Sequence, residues 1–202
     1  MSMKTWAVAL CAILALAGCS RTWEVNYDQN INPDVSQDWR VETIVSVVPE
    51  SLTVSDSNTY APSGDIVWWG EPFGDRREQV ARIFDEGIAA GTADLNGDRP
   101  VRITATVERF HAVTPAAVAA APAAVHNIRY RIQVFDVATS LPLTANVPIT
   151  ADLEAYVGAA AMASAIRGED QRVRIVNHIA EVTRGWIGSG PDQRRTFRSI
   201  GR

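Results

Sequence analysis

The sequence predicts an α+β fold: a two-layer sandwich in which a mainly antiparallel sheet of four to five strands carries two helices on one face. Three observations predict it. The segments "VRITATVERF" and "NIRYRIQVFD" alternate apolar and polar residues, as strands with one buried face do. The segments "GDRREQVARIFDEGIAAG" and "EDQRVRIVNHIAEVTRGWIG" instead repeat apolar residues at helical spacing. Strand and helix signals are mixed along one stretch of chain, and no fixed-period repeat is visible.

The elements follow in order. Residues 1–18 carry one charge, Lys4, and an apolar run from Trp6 to Ala17 that has the length of a signal-peptide core and is too short to span a bilayer comfortably. Ala17-Gly18 supplies the small residues a signal peptidase accommodates, with Cys19 immediately after; this resembles the lipobox of bacterial lipoproteins, and the resemblance implies that Cys19 is acylated and becomes the mature N-terminus. Each buried CH₂ of such a lipid contributes about 0.8 kcal/mol, so several chains anchor the protein without spanning the membrane. Ser20 stands where, in those lipoproteins, Asp favours retention in the inner membrane, which implies the outer membrane facing the periplasm, with the inner membrane as the other placement.

Residues 19–39 are polar and turn-prone and read as a lipidated tether. A single domain is expected over residues 40–188, followed by a basic tail over 189–202. A strand is expected from Val41 to Val48, an extended piece near Leu52 to Val54, and another at "DIVWW". The first helix follows, with Asp75 and Glu78 spaced as a capping box and Gly91 as its stop. The two alternating strands come next, and "LTANVPITADL" is demoted to an edge strand by Pro148, which cannot donate to a ladder. Residues 154–168 read as a loop or a short helix, and the second long helix closes the domain.

Composition excludes several chemistries. Without the leader the formal charge moves from −4 to −5, a balance unsuited to general nucleic-acid binding. Cys11 leaves with the leader and Cys19 would be lipidated, so neither a thiol nucleophile, nor a disulfide, nor a cysteine metal site is expected. Lys4 is the only lysine, so Schiff-base chemistry and a P-loop are excluded as well. With no G-x-S-x-G, H-E-x-x-H or glycine-rich phosphate loop in the chain, a non-enzymatic protein without cofactor is expected.

Three regions remain as candidate sites. The connection between the two best strands, 112–125, is long and rich in Ala, Val and Pro, an apolar surface for a partner or a lipid or else an ordered flap. His111 and His126 flank it and invite a metal reading, but two ligands do not close a site, and no metal is expected. Trp68, Trp69, Phe73, Arg76 and Arg77 gather aromatic and guanidinium groups that suit recognition of a glycan, small ligand or protein; the alternative is a strand-to-helix turn covering the sheet edge. "DLNGD" begins like a calcium loop but places Arg99 at the required glycine and Ala105 at the bidentate acid.

Taken together, "DIVWWGEPFGDRREQV", "RFHAVT", "VHNIRYRIQVFD" and "QRVRIVNHIAEVTRGW" resemble a family of uncharacterised alphaproteobacterial lipoproteins, from about Val41 to Phe197. The resemblance implies a shared fold and an envelope location, and brings no functional residue with it. The order of elements is also similar to envelope auxiliary lipoproteins of the PqiC and LptE types, an architectural likeness. The expectation is therefore a non-enzymatic, membrane-anchored adaptor or accessory subunit that binds an envelope protein complex or a lipid. The alternative is a small-ligand or glycan module using residues 68–77.

Overall fold

Strands β4 (Arg99–His111) and β5 (Ala124–Asp136) form the antiparallel hairpin that the alternation predicts, in register from Val101 opposite Asp136 to His111 opposite Asn127. Val101, Ile103, Ala105 and Val107 on one strand, and Ile128, Tyr130, Ile132 and Val134 on the other, are fully buried, while their neighbours on the opposite face stay half-buried or exposed. The computed structural model describes residues 22–199; the leader and the lipidation of Cys19 lie outside the described residues.

Around this hairpin the sheet is larger than four to five strands. β1 (Trp23–Tyr27), β2 (Trp39–Val47), β3 (Ile66–Val67), β6 (Val147–Ala151), β7 (Leu153–Ala155) and β8 (Arg195–Phe197) complete eight strands, with the main order β2-β4-β5-β6-β1-β8. The strands the sequence did not announce, β1, β7 and β8, are three to five residues long, too short to show a period. β2 and β3 both run parallel to β4, because the chain returns to the sheet through a crossover helix rather than a hairpin.

The stretch read as a tether contributes β1, which lies between β6 and β8. Val25 and Tyr27 point into the core, and Asp152 fastens the strand by accepting a hydrogen bond from the Glu24 amide at 3.2 Å. The stretch read as a tail supplies β8 and a latch, since the Tyr27 hydroxyl donates to Asp192 at 2.8 Å and accepts from the Gln193 amide at 3.0 Å. β6 is accordingly an interior strand, not an edge. Its pairing with β1 stops at Ile149, so Pro148 faces a neighbour on the β5 side alone and its missing N–H leaves no gap in the ladder.

The two long helices, α2 (Arg76–Thr92) and α5 (Gln171–Ile187), pack side by side on the apolar face. Two shorter ones are α1 (Pro33–Ser36) and α3 (Pro115–Ala120), and α4 (Gly158–Ile166) resolves the loop-or-helix alternative in favour of a helix. The Asp75 side chain caps α2 through the amides of Arg77 and Glu78, Asp170 caps α5 through Val173, and Gly188 ends α5 with a φ of 83°. Gly87 and Gly91 bring α2 onto α5 so closely that a Cβ at either position would lie 2.7 Å from its neighbour. Beneath them Phe84 meets Tyr130 edge-on at 4.9 Å and Trp68 meets Phe110 at 5.6 Å.

Candidate functional site

Two short helices built from small residues stand apart from this core. In α3, "PAAVAA", Pro115 occupies the first turn and the Thr114 hydroxyl caps the helix at the Ala117 amide, 3.1 Å away. Thr114 also donates to the Thr59 carbonyl at 2.7 Å, and the Asn58 side chain accepts from the Ala116 amide at 2.9 Å. The long connection 112–125 is therefore an ordered helical flap pinned to the segment before β3. In α4, "GAAAMASAI", only Ser164 is fully buried, and its hydroxyl donates to the Glu169 carbonyl at 2.6 Å; Met162 and Ile166 are 68% and 85% exposed.

Between the two helices lies a cleft of about 660 Å³. Val113, Val118 and Ala119 form one wall and Ala161, Met162 and Ala165 the other, with Trp69, His126 and Tyr156 also lining it and Gln171 and Arg174 projecting from α5. The wall residues expose methyl and thioether groups that carry no hydrogen-bonding capacity of note, so the surface favours an apolar occupant.

Polar groups in the cleft are few and incompletely paired. Trp69 Nε1, His126 Nδ1 and Gln171 Oε1 are all buried without a hydrogen-bond partner. Burial pushes the His126 pKa down to about 3, with the charge of Arg174 and the neighbouring His178 acting the same way, so this imidazole is neutral. The Arg174 guanidinium lies 3.6 Å from the centre of the Tyr156 ring and donates to the Glu154 carbonyl at 2.8 Å. Burial lowers its affinity for the proton, yet a guanidinium stays charged.

The aromatic and arginine segment does not gather into one patch. Trp68 is wholly buried in the core, whereas Trp69 turns to the cleft. Arg76, only 4% exposed, donates to Asp56 at 2.9 Å, to Gln79 at 2.8 Å and to the carbonyls of Glu71 and Pro72, and so clamps the turn before α2. Arg77 is taken up by the carbonyls of Leu52 and Glu50. Phe73 remains exposed with Arg76 over its ring at 5.4 Å.

His111 and His126 do not converge either. His111 is opposite Asn127, so it shares that residue's face, while His126 projects from the other face, the one that carries the helices. Among the described residues no group of three His, Cys, Asp or Glu could hold a metal ion. The sequence reading missed Tyr156, Met162, Gln171 and Arg174; the one signal available was the run of small residues in "GAAAMASAI", which permits close approach of another chain or ligand.

A second, smaller depression lies between α3 and the N-terminal strand. Trp23, at the start of β1, lines it together with Tyr60, His111 and the α3 residue Ala117. α3 is thus shared, with Ala117 on the Trp23 side and Val118 and Ala119 on the cleft side. Among the described residues no helix is long and apolar enough to cross a membrane.

The chain is similar to three solved structures at low identity. A candidate lipoprotein from Caulobacter crescentus is 12% identical with a TM-score of 0.33, over 72% of this chain and 90% of that one. A DUF330 protein from Xanthomonas campestris is 11% identical with a TM-score of 0.39, over 82% and 96%. The PelC dodecamer from Paraburkholderia phytofirmans is 9% identical with a TM-score of 0.33, over 81% and 96%. No curated protein matches the sequence. The family is shown by its own model, which matches residues 39–202: the chain belongs to DUF6778, a family of unknown function.

Proposed function

We propose that the protein is a non-enzymatic lipoprotein of the cell envelope, anchored through Cys19 to the outer membrane on its periplasmic side, that binds the apolar part of a lipid or of an envelope protein in the cleft between α3 and α4. The observation that carries the reading is the cleft itself: about 660 Å³ walled by Ala, Val and Met side chains, within the roughly 300–1,000 Å³ of ordinary ligand sites. Exposed Met162 and Ile166 extend the apolar surface beyond its mouth, as in proteins that pass or hold a hydrophobic partner.

The anchor supports this use. A membrane-tethered domain meets membrane partners at a raised effective concentration, so modest affinity in the cleft suffices. A glycan or small-ligand role for residues 68–77 has less support, because Trp68, Arg76 and Arg77 are occupied within the fold and Phe73 alone is left exposed.

The test is displacement of an environment-sensitive apolar dye from the purified domain, with Ala165→Trp as the variant that fills the cleft. Dye binding lost in a folded Ala165→Trp protein supports the reading; equal binding by both proteins sinks it. Anchoring is tested separately: Cys19→Ala should move the protein from the outer-membrane fraction to the soluble fraction, and a variant that still pellets with membranes refutes the anchor.

A further inference from the structure

Resting on the reading of the cleft as an apolar-ligand site, we infer that its occupant is a single acyl chain ending in a carboxylate, a long-chain fatty acid, with the carboxylate held by Arg174. Arg174 is half-buried, uses one of its five N–H donors on the Glu154 carbonyl, and forms no ion pair with a described acid. Glu154 and Glu169 act on this partly desolvated cation only through space, which leaves most of its donors unused, and a guanidinium fork matches a carboxylate with two parallel hydrogen bonds.

The surroundings favour an anion at the same place. Arg174 lies in the first turn of α5, where the helix dipole disfavours a cation and favours a negative group. Its neighbour Arg172 is already neutralised by Glu71 at 3.1 Å and by Glu86 at 2.6 Å. The two acids on the cleft margin make their direct contacts elsewhere, Asp170 in capping α5 at the Val173 amide and Glu169 with Arg167 at 3.2 Å, and Glu169 reaches Arg174 through space alone.

The unpartnered buried atoms complete the cradle. Trp69 Nε1 is a donor only, and neutral His126, 1% exposed and lining the cleft, supplies a second donor to an acceptor-rich head. Rotation of its amide turns Gln171 into a further donor. The opposite walls, with Val118, Met162 and Ala165, suit the chain. The source is the bilayer: Trp23 lies against the α3 wall, and Cys19 precedes it by four residues.

The experiment is titration of the folded domain with myristic acid and with methyl myristate, which share the acyl chain and of which only the acid carries a charged head, using wild type, Arg174→Gln and Arg174→Lys. The acid is expected to bind on the order of tenfold more tightly than the ester. That preference should vanish in Arg174→Gln, with acid affinity falling to about that of the ester, and persist in part in Arg174→Lys. Equal binding of acid and ester by wild type overturns the carboxylate assignment while the apolar-cleft reading stands. Loss of acid and ester together in Arg174→Gln, with Arg174→Lys behaving as wild type, also overturns it and makes Arg174 a structural support. Failure of wild type to bind either probe overturns both readings.

Discussion

Arg109 and Arg129 stand directly opposite one another on β4 and β5, on the face of the sheet turned away from α2 and α5. Neither forms an ion pair with a described acid, although Asp65 feels Arg109, whose charge adds to the Thr53 amide and hydroxyl in holding that carboxyl below its usual range. Like charges across a strand pair destabilise it. Arg129→Gln is therefore expected to stabilise the fold by about 0.5 kcal/mol in denaturant titrations at low ionic strength. The gain should shrink as salt screens the pair, and a gain independent of salt would mean that repulsion is not its cause.

Acid should weaken the protein through two histidines before it reaches most carboxylates. Burial holds His126 at a pKa of about 3 and His178 at about 4, the latter partly offset by the backbone at Ala151 and Asp152. Both titrate near 6.5 in an unfolded chain, which then binds more protons than the fold, so stability is complete above pH 6.5 and falls as pH drops toward 4. The slope is about 1.4 kcal/mol per pH unit for each histidine. Denaturation midpoints between pH 7.5 and 5 should show this decline, to which half-buried His111 adds, and His178→Gln should make it shallower.

A second acid-sensitive contact lies lower. Asp136 is held at a pKa of about 2 by Arg99 and by the amide and hydroxyl of Thr139, so its contribution is present above the unfolded value of roughly 3.9 and is lost as pH falls through 2. In Asp136→Asn the loss of stability between pH 4 and pH 2 should be smaller than in wild type.

Asp152, between β6 and β7, is a fastening point for β1 and β5. Its carboxylate accepts from Asn127 at 2.6 Å, from the Ile128 amide at 3.4 Å and from the Glu24 amide at 3.2 Å, and it is 2% exposed. Removing it leaves buried donors unmatched, so Asp152→Ala should cost about 3 kcal/mol in equilibrium unfolding. Asp152→Asn, which keeps an acceptor oxygen, should cost less.

The α2–α5 contact gives a case in which helix propensity and packing disagree. Alanine at position 91 gains about 1 kcal/mol of intrinsic helix stability over glycine. Its Cβ would lie 2.7 Å from the Ala180 carbonyl oxygen and 2.8 Å from Thr183 Cβ, atoms that cannot yield without moving α5. Gly91→Ala is expected to lower stability by about 1–3 kcal/mol, read by thermal or denaturant unfolding.

What could be read from sequence followed segment length. α2, α5, β4 and β5 each span thirteen or seventeen residues, enough for a period to declare itself, and their caps at Asp75 and Gly188 use local chemistry. β1 and β8 were hidden because three inward or outward positions do not make a pattern and their partners are far along the chain. Pro148 misled because a missing donor matters only where a neighbour is present. At the site, Trp69 and His126 were marked, but in company they do not keep: Trp68 and Arg76 went to the core and the turn, while Tyr156 and Met162 arrived from a segment with no motif and Arg174 from a helix legible only by its apolar face.

The position of β1 also sets an order of events. The first strand to be synthesised pairs through Val25 with Ala151 on one side and with Arg195 on the other. Its first neighbour lies more than a hundred residues further along the chain, and its second lies further still. Pairing of β1 is therefore among the longest-range steps of folding, and until it is complete the strand has an open edge. The C-terminal residues act as a closing clasp, and a chain ending before Arg195 would keep that edge open for good.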